Sequence, residues 1–327
     1  MERERALLDI LNDGAFHSGE TLAQQLGGIS RAAVWKLIRA LEDKGITVFA
    51  VRGRGYRLAE PIEFLEQARI SAAFTQETRR FIAAVDIHSC LDSTSTHLLD
   101  QAKCGAPSGT VCCAELQLAG RGRRGRAWVS PFAANVYLSL LWRFSVGPAA
   151  LSGLSLATGV AVARALRQLG VAEVGLKWPN DLLWRWLKLG GILLEFDGES
   201  TGPCQVVAGV GINVAMPPSA DSAIDQPWID LRGILGPGRV SRNQLVAQIV
   251  NELVAAFAGF EQTGFPGISR QWQQFDQVAG QRISLHCPNS TITGIARGVD
   301  DSGALLVDTG NGMQRFLAGE ISLRVDE

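Results

Sequence analysis

Near the start of the chain, apolar positions return every three to four residues, then switch to a shorter period. Leu7, Leu8, Ile10 and Leu11 form one helical stripe, ended by the turn Asn12-Asp13-Gly14. Ser18-Gly19-Glu20-Thr21 opens a short helix with Leu22 and Leu26 inward, and Gly27-Gly28 breaks it. Ser30 then caps a third helix whose apolar face is Val34, Leu37, Ile38 and Leu41, and Lys44-Gly45 ends it. A strand from Ile46 to Val51, the turn Arg52-Gly53-Arg54-Gly55 and the return Tyr56-Arg57-Leu58 make a hairpin. Helix, Gly-containing turn, helix and basic hairpin together predict a winged helix-turn-helix.

Glu60-Pro61 marks a boundary, followed by a helical connector to about residue 84. From there to about 275, strand-like runs (Val111 to Glu115, Asn135 to Trp142, Ile192 to Phe196, Val206 to Val210) alternate with helices. Helices fit Leu154 to Leu169 and Leu245 to Phe260, the second capped by Ser241. That pattern predicts an α+β unit, mostly one sheet with helices packed on it. The end of the chain changes character again. Gln281 to His286, Thr291 to Arg297, Ala304 to Val307 and Gln314 to Leu317 read as short strands joined by Asp/Ser/Gly and Thr/Gly/Asn turns. A small β-barrel is expected. The reading is therefore an α+β multidomain chain: 1–62, then 63–275 with 63–84 as connector, then 276–327.

A chain of 327 residues is too long for one ordinary core, which agrees with several units. Its net charge of −1 gives no bulk attraction to polyanions, so any nucleic-acid contact needs a local patch. The third helix offers one. Ser30, Arg31, Lys36 and Arg39 suit phosphates and base edges of a major groove, and Arg52, Arg54 and Arg57 of the hairpin suit the backbone beside it. The alternative is a small helical interaction module with ordinary solvated cations. The amphipathic opening after Met1-Glu2-Arg3-Glu4-Arg5 does not resemble a signal peptide, and no apolar run approaches the roughly 18–20 residues of a membrane span, so a cytoplasmic protein is expected. Cys90, Cys104, Cys112, Cys113, Cys204 and Cys287 form no C-x-x-C pair and have no histidine ligands evident in the sequence. They read as free, buried thiols of a reducing compartment, with no structural zinc site and no tightly bound metal expected.

The densest chemistry is Gly120-Arg121-Gly122-Arg123-Arg124-Gly125-Arg126. It fits the dinucleotide-binding glycine pattern literally, but arginines fill the variable sites. Trp128-Val129-Ser130-Pro131 also forbids the long helix that such a fingerprint must open. Glycines that let backbone N–H groups approach an anion, alternating with guanidiniums that clamp phosphate or carboxylate, point instead to an anion-wrapping loop. Mutual repulsion among its four cations predicts a loop that orders when an anion arrives. An exposed nucleic-acid-binding loop is the alternative. Downstream, Lys177-Trp178-Pro179-Asn180-Asp181 ends a strand, where Asp181 offers a carboxylate to Mg²⁺, and Lys188 precedes an apparent Gly190-Gly191 bend. Gly209, Gly211 and Asn213 interrupt another strand, as a close ligand or backbone requires, and Asn213 can present its amide to a purine edge. His17, His88, His97 and His286 are isolated in sequence and read as structural. No P-loop, nucleophile elbow or zinc-protease motif occurs, so the site has cations and glycines but no evident protein nucleophile. This suits a carboxylate substrate attacking the α-phosphate of ATP.

Ser93-Thr94, Gln117, the Gly120-to-Gly125 loop, Lys177-to-Asp181, Lys188-to-Leu193 and Gly211-Ile212-Asn213 occur in the order seen in biotin protein ligases. With the winged helix and terminal strands, the chain resembles the bifunctional bacterial form, which is also a biotin operon repressor, over nearly its whole length. The resemblance implies a catalytic unit related to class II aminoacyl-tRNA synthetases and a C-terminal SH3-like barrel. It implies that biotin and MgATP give biotinyl-5′-AMP and pyrophosphate. A lysine of the biotin carboxyl carrier protein of acetyl-CoA carboxylase then takes the biotin. On this resemblance Ser93, Thr94, Ser95 and Gln117 bind the ureido ring, with Gly122 and Gly191 also against biotin. Gly120, Arg121 and Arg123 close over the acyl phosphate, Arg123 retaining the intermediate, and Lys188 stabilises charge at the reacting atoms. Trp128 stacks on adenine, Asn180 and Asn213 contact the nucleotide, Asp181 helps with Mg²⁺ or positioning, and Trp228 lies in a loop that orders over the adenylate. The adenylate is further expected to promote a homodimer whose two winged helices reach operator DNA, repressing biotin biosynthesis. Ser95 stands where the family has asparagine, Leu118 where a polar residue is common, and Gly27-Gly28 lengthens the turn before the third helix. Two other readings remain at this point: a ligand-sensing transcription factor without ligase activity, and a lipoate–protein ligase.

Overall fold

The computed structural model describes residues 2–198, 202–287, 290–318 and 322–325. Helices α1 (Glu2–Leu11), α2 (Gly19–Gln25) and α3 (Arg31–Asp43) pack with the hairpin β1 (Val48–Val51) and β2 (Gly55–Leu58). Leu7, Leu8, Leu11, Leu22, Val34, Ile38 and Leu41 close the core of this unit, as the apolar spacing predicts. Ser18 and Ser30 accept backbone hydrogen bonds from Thr21 and Ala33 at 3.0 and 3.1 Å, fixing the starts of α2 and α3. The hairpin folds back on the chain before α2, where His17 and Tyr56 exchange backbone hydrogen bonds of 2.9 and 2.8 Å. Gly55 is required there, because a Cβ at its φ of +102° would collide with the His17 carbonyl.

The connector, with α4 (Gln67–Ala72) and α5 (Thr78–Phe81), is fastened rather than loose. The Asn12 side chain bonds both backbone groups of Ile62 at 2.8 and 2.7 Å. Arg242 meets Glu115 at 2.8 Å with both side chains nearly inaccessible, and it also donates to the carbonyls of Asn135 and Glu63. Glu115 in turn accepts from the Leu65 backbone at 2.7 Å. One buried ion pair thus ties connector and sheet together.

The large sheet contains β3 (Ala84–His88), β4 (Thr110–Ala114), β5 (Asn135–Phe144), β6 (Val174–Lys177), β7 (Asp181–Trp184), β8 (Leu187–Gly198) and β9 (Cys204–Asn213). Its order is β3-β4-β5-β9-β8-β7-β6, and only the β3–β4 pair is parallel. Around it lie α6 (Thr94–Lys103), α7 (Leu154–Gln168), α8 (Leu231–Leu235), α9 (Arg242–Thr263) and α10 (Ser269–Phe275). Alternation along the strands divides the two faces. Leu138 and Leu140 join the residues of α7 and α9 in the main core, whereas Leu141, Cys112 and Val207 pack under Leu98 and Ala102 of α6. The predicted α+β sheet is present, and the strands and helices read from the sequence lie within or against β4, β5, β8, β9, α7 and α9.

The last strands, β10 (Arg282–His286), β11 (Thr291–Val299), β12 (Leu305–Asp308), β13 (Met313–Phe316) and β14 (Ser322–Val325), form an antiparallel sheet in the order β13-β12-β11-β10-β14. Ile283, Leu285, Leu305 and Val307 bury against the main core, and the Trp178 indole donates to the Gly303 carbonyl at 3.1 Å. Among the described residues no helix is long and apolar enough to cross a membrane. All six cysteines are free, but only Cys112, Cys113 and Cys204 are buried, and Cys104 is exposed, so the expectation of uniformly buried thiols does not hold. His88 and His97, isolated from one another in the sequence, stand ring to ring with centroids 4.7 Å apart, because α6 packs over β4, β5 and β9 and turns His97 toward neighbouring β3.

Candidate active site

The α6 face of the sheet hollows where its strands carry small residues. Ser139 on β5, Gly209 and Gly211 on β9 and Gly191 on β8 lie side by side on that face. Helix α6 enters at this hollow with a polar first turn. The Ser93 hydroxyl accepts from the Thr96 N–H as the cap. Thr94 and Ser95 each reach the Ser139 hydroxyl, at 2.8 and 3.0 Å. Gln117 accepts from the Thr94 backbone at 2.9 Å and donates to Ser130 at 3.0 Å. Of the four polar side chains predicted for one ligand, Thr94, Ser95 and Gln117 share a hydrogen-bonded cluster, and Ser93 stands beside it as the α6 cap. Ser139 is a fifth member that pattern reading missed; a buried serine amid Leu138 and Leu140 was the available signal. Gly209 is small for a reason, since a Cβ there would stand 2.5 Å from the Ser95 hydroxyl.

Beside this cradle lies Trp128. A Cβ at Gly211 would meet its ring at 2.6 Å, and one at Gly191 at 3.3 Å, so the two glycines form the floor on which the indole rests. Its N–H is buried without a hydrogen-bond partner among the described residues. The expected Gly190-Gly191 bend lies within strand β8, whose pairing with β7 shifts register at Leu189, just before Gly190. Its glycines answer to close approach, with Gly211 and Ile212 crowding Gly190 and Trp128 crowding Gly191.

The glycine–arginine loop is already shaped. Gly122 donates to Arg126 at 2.7 Å and Trp128 to Gly120 at 2.8 Å. Residues 123–125 form a single 3-10 turn, with no helix behind it to complete a dinucleotide fingerprint. Repulsion among the arginines, which predicts an unformed loop, is offset by partners around it. Arg121 pairs with Glu195 at 2.7 Å and donates to Thr96 at 3.1 Å. Arg123 donates to Asn180 at 3.2 Å and to the Ala318 carbonyl of the terminal sheet. Arg124 and Arg126 stay exposed.

Opposite the loop, Lys188 holds Asp181 at 2.8 Å, with its ammonium 5.7 Å from the Trp128 ring centroid. Burial pulls the Lys177 ammonium below its ordinary range, with Asp181 opposing and Lys188 adding to the fall. Burial likewise lowers Arg123, again against Asp181. Three cations thus share one carboxylate, leaving surplus positive charge that an anionic ligand would satisfy. Among the described residues Asp181 belongs to no group of three or more His, Cys, Asp or Glu side chains that could hold a cation, and its Oδ1 is engaged by Lys188 at 2.8 Å. One carboxylate with waters and substrate phosphates is a set that Mg²⁺ accepts, so Asp181 could help hold the ion that ATP brings. Asn213 is buried and donates to the Lys188 and Ile229 carbonyls at 3.4 and 3.2 Å, which leaves only its carbonyl oxygen for a ligand. Trp228 lies half-buried alongside Lys188, whose backbone bonds Pro227 and Ile229, each at 3.0 Å. Lys177 stood in the Lys177-to-Asp181 run without a role of its own, and Glu195, brought in by its ion pair with Arg121, took no part in the sequence-based site.

The basic surface of the first unit is also assembled. Arg31, Trp35, Lys36 and Arg39 are exposed along α3, and Arg52 and Arg54 are exposed at the hairpin turn. Ser30 serves as the α3 cap. Arg39 pairs with Glu42 at 2.9 Å, and Arg54 and Arg57 stack on Phe16 at 4.3 and 5.0 Å. Trp35, 51% exposed on the helix that would face DNA, was missed because it falls outside the apolar stripe.

Three family descriptions match this chain: "HTH domain" over residues 3–57, "Biotin/lipoate A/B protein ligase family" over 87–213, and "Biotin protein ligase C terminal domain" over 278–324. The chain is 43% identical over 323 residues to the bifunctional ligase/repressor BirA of Salmonella typhimurium, covering 98% of this chain and 97% of that protein. The same figures hold for the bifunctional ligase/repressor BirA of Escherichia coli. Among solved structures, the biotin protein ligase from Aquifex aeolicus in complex with biotin and ATP superposes with a TM-score of 0.64 at 26% identity, covering 75% of this chain and all (100%) of that one.

Proposed function

This chain belongs to the family of bifunctional biotin protein ligases and repressors, and from that premise we propose how its own residues divide the work. It is a ligase that joins biotin to protein at the expense of ATP and a repressor that binds DNA through its N-terminal unit. The biotin carboxylate attacks the α-phosphate, giving biotinyl-5′-AMP and pyrophosphate. The ε-amine of an acceptor lysine then attacks the mixed anhydride, gives up a proton and releases AMP. The acceptor we assign is the biotin carboxyl carrier protein of acetyl-CoA carboxylase.

The observation that carries the assignment of sites is the sequence of surfaces along one hollow. A hydroxyl-and-amide cradle is followed by Trp128 on its glycine floor, then by the cation group around Asp181. A ureido ring carries one acceptor and two N–H donors, which Ser93, Thr94, Ser95, Gln117 and Ser139 can answer. The acyl phosphate falls to Arg121, Arg123, Gly120, Gly122 and Lys188, where positive charge is in excess. Trp128 supplies the adenine face, with Asn180, the Asn213 carbonyl oxygen and Trp228 around the nucleotide, and Gly191 lies against biotin. Arg121 must leave Glu195 to take this part. Mg²⁺ enters on the phosphates of ATP as part of the substrate, and Asp181 orients Lys188 and Lys177.

For DNA, Arg31, Lys36 and Arg39 with Trp35 address the major groove, and Arg52 and Arg54 the flanking backbone. We infer an adenylate-promoted homodimer that sets two such units on one operator, since a ligand that orders loops at an interface lowers the cost of association. Units of 1–62, 63–275 and 276–327, closure of the last as an SH3-like barrel, and a cytoplasmic setting complete the reading.

Purified protein with biotin, MgATP and the carrier domain should yield the carrier modified on one lysine. A carrier left unmodified would favour a sensor without ligase activity, and preferential transfer of lipoate from a mixture of the two acids would favour a lipoate ligase.

A further inference from the structure

Toward the β3–β4 edge of the same sheet face, next to this hollow, lies a second cluster to which the ligation chemistry assigns no role: Cys112 pairs in register with Ser139 of the hollow. Strands β3 and β4 pair in parallel with Asp86 opposite Cys112, so Asp86, His88 and Cys112 face the same side. Helix α6 crosses that side and lowers His97 onto them one turn after its start. A ring nitrogen of each histidine and the Cys112 sulfur all lie within 4.8 Å of one another. The Nε2 of His88 is buried and has no hydrogen-bond partner among the described residues. A buried imidazole nitrogen left unpaired is costly, so such an atom beside two other donors asks for an occupant.

We propose that His88, His97 and Cys112 bind one Zn²⁺ ion between α6 and the β3–β4 edge. Two imidazoles and one thiolate are a borderline-soft set that suits zinc and excludes Mg²⁺ or Ca²⁺, which require oxygen ligands. Zinc bond lengths of about 2.0 Å to nitrogen and about 2.3 Å to sulfur put tetrahedral donors about 3.4–3.6 Å apart, so side-chain rotations that draw the three together by little more than about 1 Å suffice. Binding forms two N–Zn bonds and one S–Zn bond and releases the Cys112 thiol proton to solvent. That proton is otherwise held, because burial first and Asp86 second push the Cys112 thiol up to about 12. The same Asp86, two residues before His88 on the same face, is placed to accept from a ligand imidazole or to approach the fourth position. The consequence for the fold is a clasp. Zinc would pin α6, whose first turn carries Thr94 and Ser95, to the outermost strands.

The test uses full-length protein stripped of metal with a chelator that is then removed. Co²⁺ reports the site by tetrahedral d–d bands and a thiolate-to-cobalt charge-transfer band, and Zn²⁺ titrated into a chromophoric chelator gives affinity. We expect one equivalent of either metal, a raised Tm with Zn²⁺, and Co²⁺ bands that Zn²⁺ erases. His97→Gln and Cys112→Ala should each weaken Zn²⁺ by more than about 100-fold, beyond what loss of an outer-shell partner does, and Cys112→Ala should remove the charge-transfer band. Cys287→Ala and His286→Gln, remote from the cluster, should change nothing. Absence of the charge-transfer band from the unaltered protein, or equal zinc affinity in the His97→Gln and Cys112→Ala variants, overturns the proposal. Both readouts are independent of biotin transfer, so the ligase assignment stands or falls separately.

Discussion

Replacing Arg123 by glycine should leave biotin activation largely intact and shorten the life of the bound intermediate. Arg123 bridges the loop to two other parts of the molecule, through Asn180 at 3.2 Å and the Ala318 carbonyl in the terminal sheet. It is also the half-buried guanidinium of the loop, whereas Arg121 is already engaged with Glu195 and Arg124 is exposed. If its contact with the acyl phosphate is a single charge-assisted pairing, its loss costs about 1.5–3 kcal/mol. At about 1.36 kcal/mol per decade, biotinyl-5′-AMP should leave the variant roughly 10- to 160-fold faster. Activation should persist, because Lys188 and Arg121 remain. The assay forms the complex with labelled biotin, chases it with excess unlabelled biotin, and follows release. Pyrophosphate formation and labelling of bystander lysines are measured in parallel, the second rising as the anhydride escapes. Arg124→Gly is the matched control. It removes the same charge from the same loop, at a φ of +59° that glycine accepts freely, but takes away neither anchor. Equal release rates for the Arg123 variant, the Arg124 variant and the unaltered protein would refute the reasoning.

Lys188→Ala should lower pyrophosphate release from biotin and ATP by about 100- to 1,000-fold, the usual effect of losing one preorganised charge at the reacting atoms, and a near-normal rate would remove that residue from the chemistry. Gly211→Ala, whose new methyl would meet the Trp128 ring at 2.6 Å, should raise the KM for ATP more than for biotin and shift tryptophan emission; unchanged ATP kinetics would mean the indole does not support adenine. Glu115→Gln leaves Arg242 buried without its partner and should cost about 3–5 kcal/mol in a denaturant titration, so a loss below about 1 kcal/mol would show the pair to be dispensable. Asp300→Asn probes pH dependence. Burial raises that carboxyl, but bonds from Arg315, Ser302 and Ala304 outweigh it and hold it down at about 2. A depressed carboxyl contributes stability above its unfolded value and loses it as pH falls toward 2. The variant should therefore be less stable than the parent at pH 7, with the difference shrinking as pH falls from about 4 through 2, and a constant difference across that range would argue against the linkage.

Much of this was legible from residue order, and the gaps have physical causes. The winged helix could be read because its stripes are clean and its caps, Ser18 and Ser30, are the expected residues at the expected places. The span of α7 followed from apolar periodicity to within a residue and the start of α9 from Ser241, while α9 runs on past the expected Phe260 to Thr263. Helix α6 escaped because its first turn is polar on purpose of packing against Ser139 and Gln117, so no apolar stripe announces it. Without α6, the approach of His97 to His88 and Cys112 was equally invisible, and the histidines read as isolated. The Gly190-Gly191 pair looked like a bend because glycine has two uses; only the register of β8 with β9 and the position of Trp128 distinguish close approach from turning. Glu195 became a site residue through its ion pair with Arg121, far away in sequence, which no local pattern records, whereas Lys177 sits opposite Asp181 across a tight hairpin within one short run. The functional motifs themselves were in plain order, and the structure gathers Ser93, Thr94, Ser95 and Gln117 around one hollow with Trp128, Lys188 and Arg123 at its side.

The central claim is that the glycine–arginine loop and Lys188 enclose a nucleotide-linked biotin. A crystal structure with biotin and a non-hydrolysable ATP mimic addresses it directly. The Arg121 guanidinium should have left Glu195 for the α-phosphate, with Lys188 beside the same oxygens and the indole of Trp128 against adenine. Nucleotide bound elsewhere, with Arg121 still on Glu195 and Trp128 touching only Gly191 and Gly211, would contradict the account.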